Sequence, residues 1–425
     1  MLEKVHPSTV SMCEDRLERV TQWLEEQVSG ERLAGASVMV GRQGKISYLQ
    51  TAGYADKEIA KPFTQDSVVR IFSMSKPITS VAAMMLYEQG CFQLDDPVAK
   101  YIPEFAHTPV WRGGDADLRE TVPQTSPMLV KHLMSHTSGL TYGFMHSNVV
   151  DGEYRKEDIE FINFQDSLAE IVTRLAKIPL ISQPGSQWNY SVSTDVLGRL
   201  VEIWSGMRLA DFFQQRIFSP LQMHDTDFQV KVENQDRFSA LYGPASGVDM
   251  SSVGKAKLDL EKVETRGLTL QEGSSKSRYF NAPKSDSGGG GLAGSIGDYG
   301  RFCQMLLNGG ELDGARLLSP TTVRFMRTNQ LPNDCDMAAM GQPVWSETSY
   351  DGIGFGLGFA VVLDPPKASI ITSKGEYHWG GAASTFFWID PVEDLFVVFF
   401  TQLIPSSTYP IRRELRARIY QALVE

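Results

Sequence analysis

Residues 35–56, GASVMVGRQGKISYLQTAGYAD, carry the reading that decides the fold. Two β-branched and aromatic runs are joined by a turn at Arg42-Gln43-Gly44-Lys45, so the segment reads as a β-hairpin. Upstream, Leu17, Val20, Leu24 and Val28 recur at three- and four-residue intervals between Ser11 and Ser29, which predicts an amphipathic helix opening the chain. Residues 383–403, ASTFFWIDPVEDLFVVFFTQL, give two more strands around Asp390-Pro391, and the tail from Ile411 to Leu423 is again helical in pattern. Helix then strands at one end, and strands then helix at the other, imply that both ends build one antiparallel sheet flanked by terminal helices. This is an α+β arrangement.

Between these ends the signals change. SLAEIVTRLAKI and VSTDVLGRLVEIWSG read as helices among loops rich in Pro and Gly, with few strand signals from Leu94 to Gln271. A mixed, glycine- and serine-containing stretch from Val253 to Lys284 reads as a return loop and ends at Gly288-Gly289-Gly290-Gly291. At 425 residues the chain is long enough for two lobes. The expected division is a sheet lobe from residues 1–93 and 285–425, and a mostly helical lobe from residues 94–284.

Composition narrows the function. The 51 acidic residues outnumber the 40 basic ones, for a net charge of −11 with no basic run, which argues against a nucleic-acid partner. Cys13, Cys91, Cys303 and Cys335 lie too far apart for a zinc site or a disulfide framework and suit a reducing compartment. No histidine shows metal-ligand spacing, so no metal is expected. The first twenty residues lack a signal-peptide core and no later run reaches membrane-spanning length, so the expected setting is the cytoplasm, away from a membrane.

The chemistry starts at Ser73-Met74-Ser75-Lys76. A serine is a weak nucleophile at neutral pH and needs a base within reach. If residues 73–89 are helical, Ser73 and Lys76 share a face, and Pro77 falls in the first turn, where its missing N–H costs nothing. A serine at a helix start also offers its backbone N–H to an oxyanion. A second Ser-x-x-Lys, Ser252-Val253-Gly254-Lys255, has no apolar periodicity to bury its lysine and reads as a loop. Tyr190-Ser191-Val192, entering a predicted helix, can present a phenol for proton transfer. His378-Trp379-Gly380-Gly381-Ala382, just before a strand, lets backbone approach a substrate closely. His136-Thr137-Ser138-Gly139-Leu140 reads as a turn-rich loop with a structural role. The hydrolase signature G-x-S-x-G is absent, since Ala293-Gly294-Ser295-Ile296-Gly297 lacks its first glycine.

Taken in order, Ser73-x-x-Lys76, His136-Thr-Ser-Gly, Tyr190-Ser-Val, the run ending Gly294-Ser295 and His378-Trp-Gly-Gly resemble the family VIII carboxylesterases, relatives of class C β-lactamases and penicillin-binding proteins. The likeness spans residues 33–403. It implies a serine β-lactamase and penicillin-binding fold, with Ser73 as acylated nucleophile and Lys76 as neighbouring base. Tyr190 would be the second proton-transfer group, and the N–H groups of Ser73 and Ala382 the oxyanion hole. His378, Trp379, Gly380 and Gly381 would line the substrate pocket. No cofactor is implied; the expected partner is a small-molecule ester with a short acyl group, and a homodimer stays open.

Two departures shape the substrate expectation. Val192 stands where class C β-lactamases have the Asn of Tyr-x-Asn, and Trp379-Gly380-Gly381 where they have Lys-Thr-Gly. An uncharged, aromatic pocket suits a neutral ester better than an anionic antibiotic, with weak cephalosporin hydrolysis as a side activity. The rivals are an acyltransferase of the lovastatin type, a β-lactamase or D-Ala-D-Ala peptidase, and a catalytically silent binding protein.

Overall fold

The computed structural model describes residues 2–250, 266–341 and 350–424. Helix α1 (Glu14–Ser29) leads into β1 (Gly35–Arg42), β2 (Lys45–Asp56) and β3 (Lys61–Pro62). Helix α2 (Ser75–Glu88), α3 (Leu168–Leu175), α4 (Ser193–Ser205) and α5 (Ile296–Leu307) follow. The chain then returns to the sheet as β4 (Ile353–Phe355), β5 (Ala360–Val362), β6 (Tyr377–Gly380), β7 (Phe386–Asp390) and β8 (Leu395–Thr401), and ends in α6 (Ile411–Tyr420).

These strands form one eight-stranded antiparallel sheet in the order β4-β5-β6-β7-β8-β1-β2-β3. The sequence ends therefore meet at its centre, where Ala36 pairs with Thr401 and Arg42 with Leu395. Strand β1 is buried along its whole length because both faces are covered. Val38 and Val40 pack with Trp23 and Leu24 of α1 and Leu415 and Ile419 of α6. Met39, pointing the other way, joins Ile78 and Val81 of α2 and Phe302 and Met305 of α5. Each fully buried large apolar side chain contributes about 1.5–3 kcal/mol. Val28, expected on the α1 core face, is half-buried, and Trp23 takes the deeper place.

Residues 94–284 hold α3, α4 and shorter helical turns, with two small strand pairs, Val110–Trp111 with Thr121–Val122 and Leu241–Pro244 with Leu268–Glu272. A capping box starts α3: Ser167 Oγ accepts from the Glu170 N–H and the Glu170 carboxylate reaches back to Ser167. Helix α4 crosses α2, so α2 lies between the sheet and this region with Ser75 through Leu86 all buried. Ser252–Lys255 and part of the expected return loop lie outside the described residues.

Candidate active site

The nucleophile candidate sits just ahead of α2. Phe72–Met74 forms a short 3-10 turn and the α-helix begins at Ser75, two residues later than the expected start at Ser73. Phe72 holds a left-handed φ of 43°, a conformation costing a non-glycine residue about 1–2 kcal/mol. The surroundings fix it: Tyr299 Oη donates to the Met74 carbonyl at 3.0 Å and the Leu292 N–H to Ser75 Oγ at 3.2 Å.

Around Ser73 the predicted groups converge. Lys76 Nζ lies 3.2 Å from Ser73 Oγ, and Tyr190 Oη donates to the same oxygen at 2.5 Å. Lys76 also donates to Tyr142 Oη at 2.9 Å and to the Gly289 carbonyl at 2.7 Å. Three acceptors match the three hydrogens of an ammonium. Its charge also lies 4.6 Å from the Tyr190 ring centre.

A cleft of about 630 Å³ opens on this cluster, lined by Ser73, Tyr142, Tyr190, Asp195, His378, Trp379, Gly380, Gly381 and Ala382 among others. Tyr142, Tyr190 and Trp379 form an aromatic wall, with ring centres 5.1 Å and 5.5 Å apart in succession. Ala382 lies in the turn just past β6, where the Gly381 N–H donates to the Thr385 carbonyl at 2.7 Å. A Cβ on Gly381 would stand 2.3 Å from the Ile71 carbonyl oxygen, so the end of β6 runs backbone to backbone against the residue two before Ser73. His378 Nδ1 is 2.8 Å from Glu376 Oε1, and the Arg416 guanidinium meets the same carboxylate at 2.8 Å. Burial pushes the Glu376 carboxyl up, but Arg416 and His378 outweigh it and hold it at about 2.

Three features of the site were not read from the sequence. Tyr142 supplies an acceptor for Lys76; burial, with Tyr190 and Asp195 nearby, pushes its phenol well above the ordinary range, so it stays protonated. The glycine run fills the space between α2 and α4. A Cβ on Gly288 would press on Thr194 O and Thr79 at 3.0 Å, and one on Gly289 would lie 2.3 Å from Asp195 Oδ2. Asp195 is 2% exposed, accepting from Ser287 Oγ at 2.6 Å and the Gly289 N–H at 3.0 Å. A tyrosine after a turn and an acid in a first helical turn are too common to have signalled either role.

Two other motifs make contacts within the fold. His136 is buried 3.2 Å from Ser191 Oγ, and burial with the Lys76 charge keeps its imidazole well below the usual range, hence neutral. Ser138 Oγ accepts from the Leu140 N–H and meets Ser193 Oγ at 2.6 Å. Ser295 caps α5 through the Asp298 N–H.

A serine hydroxyl, a lysine and a tyrosine within hydrogen-bond reach, beside an open cleft, form a constellation able to carry acyl transfer through serine. The chain belongs to the beta-lactamase family, whose model matches residues 20–421. Esterase EstB of Burkholderia gladioli is 31% identical over 408 residues, covering 95% of this chain and 94% of that protein. The monacolin J acid methylbutanoyltransferase of Aspergillus terreus is 28% identical over 418 residues, covering 93% of this chain and 92% of the relative. Among solved structures, EstCE1, described as a hydrolase with promiscuous acyltransferase activity, superposes with a TM-score of 0.77 at 26% identity, over 96% of this chain and 99% of that one. The protein is thus a carboxylesterase of the family VIII type, related to serine β-lactamases and penicillin-binding proteins, and its chemistry is ester hydrolysis or acyl transfer.

Proposed function

We propose that the protein hydrolyses neutral carboxylic esters with short acyl groups through an acyl-enzyme on Ser73. The observation that carries this reading is that Ser73 Oγ has Lys76 Nζ at 3.2 Å and Tyr190 Oη at 2.5 Å. The pair reacts with one proton fewer than a full ammonium and phenol together carry: Ser73 Oγ attacks the ester carbonyl and its proton fills that vacancy on the Lys76 and Tyr190 pair. The negative oxygen that develops is met by the N–H groups of Ser73 and Ala382. The C–O bond to the alcohol breaks as Tyr190 returns a proton to the leaving oxygen. Water then attacks the acyl group, gives its proton to the same pair, and Ser73 departs with a proton as the free acid leaves.

Trp379 supports a neutral substrate, since the strand end beside Ser73 offers an indole where a lysine ammonium would hold a carboxylate. The cleft volume of about 630 Å³ is of the size that takes a small-molecule ester. Cys13, Cys91, Cys303 and Cys335 are unpaired, which supports a cytoplasmic setting; no helix among the described residues is long and apolar enough to cross a membrane. A second reading, acyl transfer to an alcohol, is favoured by the names of the Aspergillus relative and EstCE1.

The test is turnover of p-nitrophenyl acetate and butyrate beside nitrocefin, by wild type and Ser73→Ala, with an acceptor alcohol present or absent and mass spectrometry after a fluorophosphonate. Ester hydrolysis that disappears in Ser73→Ala, with the label on Ser73, is expected. Undiminished activity in Ser73→Ala would overturn the assignment, a transesterified product would favour transfer, and faster nitrocefin turnover would reverse the substrate choice.

A further inference from the structure

The run Gly288-Gly289-Gly290-Gly291 forms a strap between α2 and α4 beside Lys76, whose buried charge has to be balanced. Lys76 is 1% exposed and surrounded by oxygens that carry no full charge: a serine hydroxyl, a phenol and a peptide carbonyl. An ammonium taken out of water needs a compensating negative charge.

The strap connects it to one. The Gly289 carbonyl accepts from Lys76 at 2.7 Å, while the N–H of the same residue donates to Asp195 Oδ1 at 3.0 Å. Ser287 Oγ holds that oxygen too, at 2.6 Å. The strap is pinned to α2 a second time by Thr79 Oγ1 on the Gly288 carbonyl at 2.7 Å. Gly289 thus ties a carboxylate on α4 to an ammonium on α2, and Gly288 beside it fastens the strap to Thr79. The residue at 289 must be glycine because its Cβ would fall 2.3 Å from Asp195 Oδ2. Burial pushes the Asp195 carboxyl above its ordinary value, and the Lys76 charge offsets only part of that rise.

We infer that Asp195 is the positioning residue for Lys76: its carboxylate supplies the counter-charge and, through the strap, aims the ammonium at Ser73. The inference rests on the reading of Lys76 and Tyr190 as the proton-transfer pair. The other ionisable groups facing the pair are the neutral His136 and the protonated Tyr142. His378 lines the same cleft, with Glu376 neutralised by Arg416, and Asp286, next to the strap, is held by Arg208 at 2.7 Å. Asp158 and Glu160 line the outer cleft but are exposed to solvent, and Glu160 is paired with Arg278 at 2.9 Å. Asp195 is therefore the buried carboxylate poised to act on the pair among the described residues.

The consequence is a pH effect with a definite sign. A nearby negative charge favours the protonated pair, whichever member holds the proton, so it keeps the acid limb of kcat/KM high. Asp195→Asn keeps an oxygen that can accept from Ser287 and Gly289 but removes the charge. Its acid limb is expected to move down by about 1 pH unit with p-nitrophenyl butyrate as probe. Ser287→Ala, which leaves the carboxylate less well held and easier to protonate, is expected to move it the same way by less, and serves if the first variant does not fold. A limb that stays in place in folded Asp195→Asn, or moves up, overturns the inference; if that variant does not fold, an unmoved limb in Ser287→Ala does so. Lys76→Ala separates the two levels: retained activity there overturns the proton-transfer reading, whereas lost activity with an unmoved Asp195→Asn limb overturns the role of Asp195 alone.

Discussion

Replacing Gly381 by alanine tests a backbone role that side-chain substitution at Ala382 cannot reach. The added Cβ would stand 2.3 Å from both the Ile71 carbonyl oxygen and Thr385 Oγ1. The Thr385 hydroxyl can rotate away, but the Ile71 carbonyl belongs to the segment that delivers Ser73. Ordinary carbon–oxygen contact starts near 3.4 Å, so the end of β6 and the Ser73 turn must part by about 1 Å. A displacement of that size costs about 100-fold in a positioned reaction, and losing one oxyanion donor costs about 100- to 1,000-fold in kcat. The fold itself should lose only about 1–3 kcal/mol to the added methyl. The assay is kcat and KM for p-nitrophenyl butyrate beside a thermal melt, and the expected result is a kcat fall of about 100-fold with a folded protein. A folded variant with kcat within about 3-fold of wild type would refute the pairing of Ser73 and Ala382 as oxyanion donors.

Two further variants probe the surroundings. Tyr142→Phe removes an acceptor from a charged donor, so kcat/KM should drop about 10- to 100-fold with an unaltered melt, read in the same assay. Glu376→Gln leaves Arg416 buried against a neutral group and should cost about 3–5 kcal/mol at pH 7 by urea unfolding. Because Glu376 is held at about 2 in the fold against an ordinary 4.5, its stabilisation is complete above about pH 4.5 and fades as pH falls toward 2. The wild-type advantage over the glutamine variant should therefore shrink between pH 5 and pH 2, and a constant difference would contradict the ion pair.

What could be read from the sequence followed the strength of local pattern. Strands β1, β2, β7 and β8 alternate or run apolar over five to twelve residues, and α1 and α6 carry full amphipathic faces, so the sheet and its terminal helices were legible. Strands β4 and β5 are three residues each in a glycine-rich stretch, too short to show a period. Helix α2 has no polar face because it is enclosed on all sides, which its sequence expresses only as a run of small and apolar residues. Ser73, Lys76 and Tyr190 were legible because their spacing and order are distinctive. Tyr142 meets Lys76 across 66 residues of sequence, and Asp195 reaches Lys76 only through the Gly289 peptide, 94 residues from Asp195 and 213 from Lys76, and nothing local records that.

The pairing of β1 with β8 has a consequence for how the enzyme comes into being. Ala36 finds its partner only when Thr401 has been made, and Ser73 finds Ala382 only after roughly 300 further residues. At ribosomal speeds of roughly 5–20 residues per second, the roughly 300 residues between Ser73 and Ala382 take some 15–60 s to synthesise. Throughout that interval Ser73 lacks the second of its proposed oxyanion donors, and the central strand has β2 but not β8 beside it. The nascent chain is an apolar β-hairpin open along one edge before it is a catalyst, and activity is expected only once β7 and β8 have closed that edge.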